Sequence, residues 1–166
     1  ATVEPPPQHL IEATTVATMA PCWALMLAFA TPLRLSGWDA RAIAEGPIAW
    51  LARNTTKPDR EGLDAWTVHA SPAWSAARLE LPPEEVAKEL LAAFSAVTGL
   101  TDPAPAHIEA HRWRYALVTR PLGEPALFDS ASGLGLCGDW CLGGRIEAAW
   151  LSRRALAHLI RRELPR

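Results

Sequence analysis

Three strand-like segments follow one another before the chain reaches its first long helix, and this order restricts the fold more than any other feature. "TTVATMAPCWALMLAF" starts β-branched and turns continuously apolar, the pattern of one or two buried strands. "IAWLAR", from Ile48 to Arg53, reads as a strand that runs into a polar loop containing Pro58 and Gly62. "AWTVHAS" alternates, with Trp66, Val68 and Ala70 on one face and Thr67 and His69 on the other. "PAWSAARLE" predicts a short helix with Pro72 in its first turn. "PPEEVAKELLAAFSAVTGL" predicts a longer one. Glu84 and Glu85 fill its first turn, Val86, Leu90, Ala93, Phe94 and Val97 form one apolar stripe, and Gly99 ends it. "HIEAHRWRYALV" alternates again, with Ile108, Ala110, Arg112 and Arg114 opposite Glu109, His111, Trp113 and Tyr115. A short strand at "PALFDS", a glycine-rich loop and a helix from about Arg145 to Leu164 complete the chain. Strands that come in runs predict an α+β fold with a mainly antiparallel sheet and flanking helices, not alternating βαβ units.

Composition narrows the function classes. At 166 residues, 49% hydrophobic and 20% charged, the chain is one ordinary domain, or two very small ones, and can bury a core without disulfides. It is too short for a dinucleotide-binding unit plus a complete substrate domain. A net charge of −2 argues against nucleic-acid binding. From Arg145 onward six arginines face only two acids, which fits a solvated helix face whose last-turn cations suit the helix dipole. Three cysteines, Cys22, Cys137 and Cys141, give no disulfide framework and point to a reducing, cytoplasmic setting. The apolar run Val16 to Ala30 is interrupted by Pro21, lacks a preceding cationic stretch and is short of the roughly 18 residues a span needs, so a buried strand is expected and no membrane partner. The opening "ATVEPPPQHL" reads as a chain entered partway, with a rigid extended connection at Pro5 to Pro7.

The richest segment is "FDSASGLGLCGDWCLGGRIEAAWLSRRAL". Gly133, Gly135 and Gly138 form a formal G-x-G-x-x-G. No helix begins within it and no second strand follows, so it is not read as a phosphate loop. A strand ending at Gly138–Asp139, a short loop and a helix starting after Gly143–Gly144 at Arg145 fit better. The start of such a helix offers unpaired N–H groups and a positive dipole end, suited to phosphate or to negative charge on a ring carbonyl. Glycines there let a ligand approach the backbone, and Asp139 can accept hydrogen bonds from sugar-like hydroxyls.

"GDWCLGGRIEAAWLS" resembles the C-terminal FAD-binding signature of flavin-containing amine oxidase-type proteins. With "PCWALMLAF", "IAWLARNTTKPDR", "WTVHASPAWSAARLE" and "HRWRYA" the chain resembles the bacterial renalase-like branch of FAD-dependent oxidoreductases, from about Ala20 to about Ala155. The resemblance implies residues 1–125 as part of a substrate domain and 126–166 as a C-terminal strand, G-D loop and helix that complete an FAD-binding domain. It also implies an N-terminal nucleotide-binding half as partner, since the phosphate-binding fingerprint is missing from these residues. Gly138 and Asp139 would contact the ribityl–pyrophosphate region of FAD, and Gly143, Gly144, Arg145 and Ile146 the pyrimidine edge of the flavin. One position departs from the family pattern: Arg153 stands where glycine usually follows "LS".

Eight Trp against one Tyr and three Phe suggest aromatic walls for a small planar substrate. Trp113 and Trp140 are the first candidates, with His69 and Trp66 as further pocket lining. Neither His69 nor His111 has a neighbouring carboxylate that would make it a general base. Cys137-x-x-x-Cys141 is not a zinc motif, so no metal is expected, and a disulfide there needs Cα atoms within about 7 Å. The implied reaction is hydride removal from a small planar donor, an isomeric dihydronicotinamide or an amine, to flavin and then oxygen. This chain alone would be incomplete and inactive. The alternative is a non-catalytic α+β module that binds a small ligand or a partner.

Overall fold

Most predicted segments form the element their periodicity calls for, and the stretch around Asp139 differs. The computed structural model describes residues 5–35 and 37–163. The elements are α1 (Gln8–Thr14), β1 (Thr18–Phe29), β2 (Ala40–Ala42), β3 (Ile48–Arg53), β4 (Asp64–Ala70), α2 (Pro72–Ala77), α3 (Pro83–Thr98), β5 (His107–Arg120), β6 (Leu127–Asp129), β7 (Leu134–Leu136), α4 (Asp139–Leu142) and α5 (Ile146–Glu163). Leu164, the expected end of the last helix, lies outside the described residues. The fold is α+β. A five-stranded sheet has the order β2-β3-β4-β1-β5, and β6 and β7 form a separate hairpin. The pairs β1–β4, β2–β3 and β3–β4 are antiparallel. Among the described residues no helix is long and apolar enough to cross a membrane.

The chain divides into two compact units, Pro21–Arg114 and the two chain ends Ala1–Ala20 with Tyr115–Arg166. In Pro21–Arg114 the alternation of β4 is realised: Trp66, Val68 and Ala70 are buried while His69 is exposed. The apolar stripe of α3 lands on that side. Val86, Leu90 and Phe94 join Trp23, Leu25, Leu27, Leu51, Trp66 and Val68 in one core cluster. Pro83 opens α3, and Gly99, at φ +73°, closes it in the left-handed conformation that favours glycine. β1 is a single strand. Pro21 lies ahead of its pairing with β4, which begins at Ala24, so the missing N–H costs that ladder nothing.

A polar cluster ties this core to its edge. Asp64, 3% exposed, accepts Arg53 Nε at 2.6 Å and Nη2 at 2.9 Å, the Thr55 hydroxyl at 2.8 Å and the Leu33 N–H at 2.8 Å. Arg112 donates to the Leu79 carbonyl and lies over the Trp23 ring, while Arg114 grips Glu80 with both terminal nitrogens at 2.7 and 2.9 Å. These bonds pin the turn between α2 and α3 to β5.

In the unit made of the chain ends, the β6–β7 hairpin and α5 pack closely. The Leu156 side chain packs over Gly135, where a Cβ would stand 2.7 Å from its Cδ1. α5 buries Ala148 and Ser152, two small residues one turn apart. Of the expected loop between Gly138 and Gly143, residues Asp139–Leu142 are instead one helical turn, and the preceding strand ends at Leu136. Tertiary bonds explain the turn. The carbonyls of Trp140 and Cys141 accept the N–H groups of Leu122 and Gly123 at 2.9 and 3.0 Å.

Candidate functional site

The predicted cofactor residues form one corner of the chain-end unit. Gly133 turns the β6–β7 hairpin, Gly135 lies within β7, and Gly138 precedes the single turn of α4, so the three glycines make no phosphate loop. The corner is closed by the Cys141 N–H on the Gly138 carbonyl at 3.2 Å and the Gly143 N–H on the Asp139 carbonyl at 2.7 Å. Asp139 Oδ1 accepts the Trp140 N–H at 2.9 Å. Gly143 then adopts φ +142°, where a side chain is strained, and a Cβ there would meet nothing within 4 Å. Gly144 backs onto β5, where a Cβ would stand 3.4 Å from Leu117 Cδ1 and 3.6 Å from the Val118 nitrogen. The Arg145 N–H bonds the Gly143 carbonyl at 2.7 Å, and α5 starts directly after.

Gly144, Arg145 and Ile146 are exposed, and Ile146 is 91% exposed. Ile146 stands at the head of an 18-residue helix. Trp150, one turn on, is also exposed and carries the Arg154 guanidinium 4.6 Å from its ring centre. Arg153 is exposed as well, so the departure from glycine at that position leaves the packing of α5 untouched.

Trp140 packs against Gly138. A Cβ at Gly138 would lie 2.6 Å from its Cδ1 and Nε1, so the indole rests against bare backbone. With Thr14, Ala17, Met19 and Tyr115 it lines an open apolar cavity of about 320 Å³. Tyr115 is 77% exposed and was not among the predicted residues.

The other predicted aromatic and histidine residues belong to the unit Pro21–Arg114. Trp66 is 1% exposed, and its ring is met edgewise by Trp38 and Phe94 at 5.6 Å, so it offers no surface to a ligand. Its Nε1 is buried without a hydrogen-bond partner. His69 points from the opposite face of β4, directly across from Ala24 of β1 and Trp50 of β3. Crowding by its neighbours withdraws water from the imidazole and holds its pKa below the ordinary histidine range. Met26, Thr67 and Ala52 form the next row on that face. Trp113 is 56% exposed and meets His111 edgewise at 4.6 Å. Both alternate with Ala110, which is buried in the core, and with Arg112, which reaches Trp23. Trp113 therefore shares the open face of the sheet with His69 and Trp50.

Trp50 was not predicted. A β-bulge between Ile48 and Trp50 sets the exposed indole opposite the buried Ile48, although simple alternation would put both on one face. Nothing in "IAWLAR" marks that bulge. Among the described residues no group of three His, Cys, Asp or Glu is placed to hold a metal ion. No family model matches the chain.

Proposed function

We propose that this chain is the C-terminal part of an FAD-dependent oxidoreductase of renalase-like type, acting on a small planar donor such as an isomeric dihydronicotinamide or an amine. The observation that supports it most is the exposed head of α5 behind the Gly143–Gly144 corner, with Ile146 turned to solvent. The residues present fit the cofactor. Gly143 leaves open space beside the backbone, and the first amides of α5 lack intrahelical acceptors. When bound, FAD would supply the two-electron chemistry and pass the electrons on to oxygen.

This chain's own residues orient and polarise. The amide groups and dipole at the head of α5 favour negative charge on a ring carbonyl placed there. Asp139 has one oxygen engaged by Trp140 and the other available to a hydroxyl. Trp113 and Trp50 are exposed on the open face of the sheet, and each offers flat apolar surface on which a planar ring can stack. His69, beside Trp50 on that face with its pKa held low by burial, can donate or accept one hydrogen bond. Trp66 takes no part, and a core role replaces the pocket role expected of it. The three free thiols suit a cytoplasmic setting.

The absorption spectrum tests the reading. Protein made from a longer reading frame, extended upstream through a strand, a G-x-G-x-x-G and a helix, is expected to be yellow and to hold FAD. The 166-residue chain alone is expected to retain little flavin. Asp139→Ala in the longer protein should weaken FAD binding about tenfold, the loss of one charge-assisted hydrogen bond. A longer protein that stays colourless with added FAD rejects the proposal and favours the ligand- or partner-binding module. Unchanged FAD occupancy in Asp139→Ala removes Asp139 from the site.

A further inference from the structure

A side chain outside the glycine corner holds the corner together. Ser152 lies in the second turn of α5 and is 0% exposed. Its Oγ accepts the Gly138 N–H at 2.9 Å. Gly138 and Cys141 are the two ends of one closed turn, joined by the Cys141 N–H on the Gly138 carbonyl. One buried hydroxyl thus ties the start of the turn to α5, six residues past Ile146.

Each neighbour needs that tie. Gly138 has φ 161°, extended backbone that dictates no turn by itself. Its amide is half-buried under the Trp140 indole, where a donor without an acceptor is costly. α4 is a single turn of four residues and too short to hold its own shape. Serine is also small enough for the buried face of α5 that it shares with Ala148.

We infer that Ser152 is a positioning residue: its hydroxyl locks the Gly138–Gly144 corner onto α5, so that the corner and the head of the helix, with its first free amides, meet the flavin as one rigid piece. This rests on the flavin reading above. Ser152 touches no ligand, since it has no exposed surface.

The test joins two readouts that need no flavin to one that does. In the 166-residue chain, Ser152→Ala should speed amide exchange at Gly138 tenfold or more, followed by NMR. It should speed labelling of Cys141 by a thiol reagent to a similar extent in a Cys22→Ser, Cys137→Ser background, with the helical circular dichroism unchanged. In the longer flavin-bearing protein the same change should raise the Kd for FAD about tenfold. Wild-type exchange and labelling rates in Ser152→Ala overturn the inference. Faster exchange with unchanged FAD affinity overturns the positioning role. Faster exchange in a longer protein whose wild type takes up no FAD rejects the flavin reading and leaves Ser152 as a latch of the corner alone. If Ser152→Ala does not fold, the wild-type protein decides. A Gly138 amide protected a hundredfold or more supports the lock, and an unprotected one overturns it.

Discussion

Arg53→Ala is expected to lower the unfolding free energy by about 3–5 kcal/mol at neutral pH, the range for removing one partner of a buried ion pair. The loss is large because Asp64 stays behind, 3% exposed, with only the Thr55 hydroxyl and the Leu33 N–H to satisfy a full charge. Arg53 also lies 5.7 Å from the Trp66 ring centre, so the core loses a cap as well as a charge. The pH dependence gives the signature. Burial by itself pushes the Asp64 carboxyl up, but Arg53, the Leu33 N–H and Thr55 outweigh it and hold the pKa below the usual carboxylate range. A depressed folded pKa stabilises the protein fully above the unfolded value of about 3.9, and that stabilisation is lost as pH falls through the folded value. Without Arg53, burial prevails and Asp64 protonates more readily. The gap between wild type and variant should therefore be widest near neutrality and narrow in acid. Urea titrations at pH 7 and near pH 3 measure it. A gap under 1 kcal/mol at pH 7, or one that does not change with pH, means the pair is not holding this edge of the core.

That cluster also shows where sequence reading stops. β3, β4, α2 and α3 were legible because their signals are local: alternation, an apolar stripe, a proline at the start and a glycine at the end. Arg53 and Asp64 sit at two strand ends with a polar loop between them, and only the folded register makes them neighbours. β2 carries no signal, since Ala40–Ala42 is exposed throughout. α1 escapes for a similar reason, as Leu10 is its only buried residue. The burial of Trp66 was written in the pattern that set it beside Val68 and Ala70, the apolar face of β4. The aromatic composition drew it into the expected pocket instead. The corner was half legible. "GDWCLGG" marks the glycines, but Ser152, fourteen residues beyond Gly138, reaches back only because α5 folds over the turn.

Gly138→Ala should show how tightly that corner is built. The backbone at Gly138 is extended and accepts alanine without strain, so the whole effect comes from space. The new methyl would stand 2.6 Å from both Cδ1 and Nε1 of Trp140. The half-buried indole must shift to make room, and overpacking of this kind costs about 1–3 kcal/mol. In the longer protein, displacing the turn should weaken FAD binding by roughly 10- to 100-fold, the same free energy expressed as affinity. A double-mutant cycle separates this clash from a general dislike of alanine. Trp140→Ala removes the obstacle, so Gly138→Ala should cost almost nothing in that background, a favourable coupling of about 1–3 kcal/mol. Gly143→Ala is the contrast. Its penalty comes from φ +142° with open space around it, so Trp140→Ala should bring no relief. If Gly138→Ala and Trp140→Ala simply add, the indole is not seated on Gly138, and the wall of the Trp140 cavity is free to move.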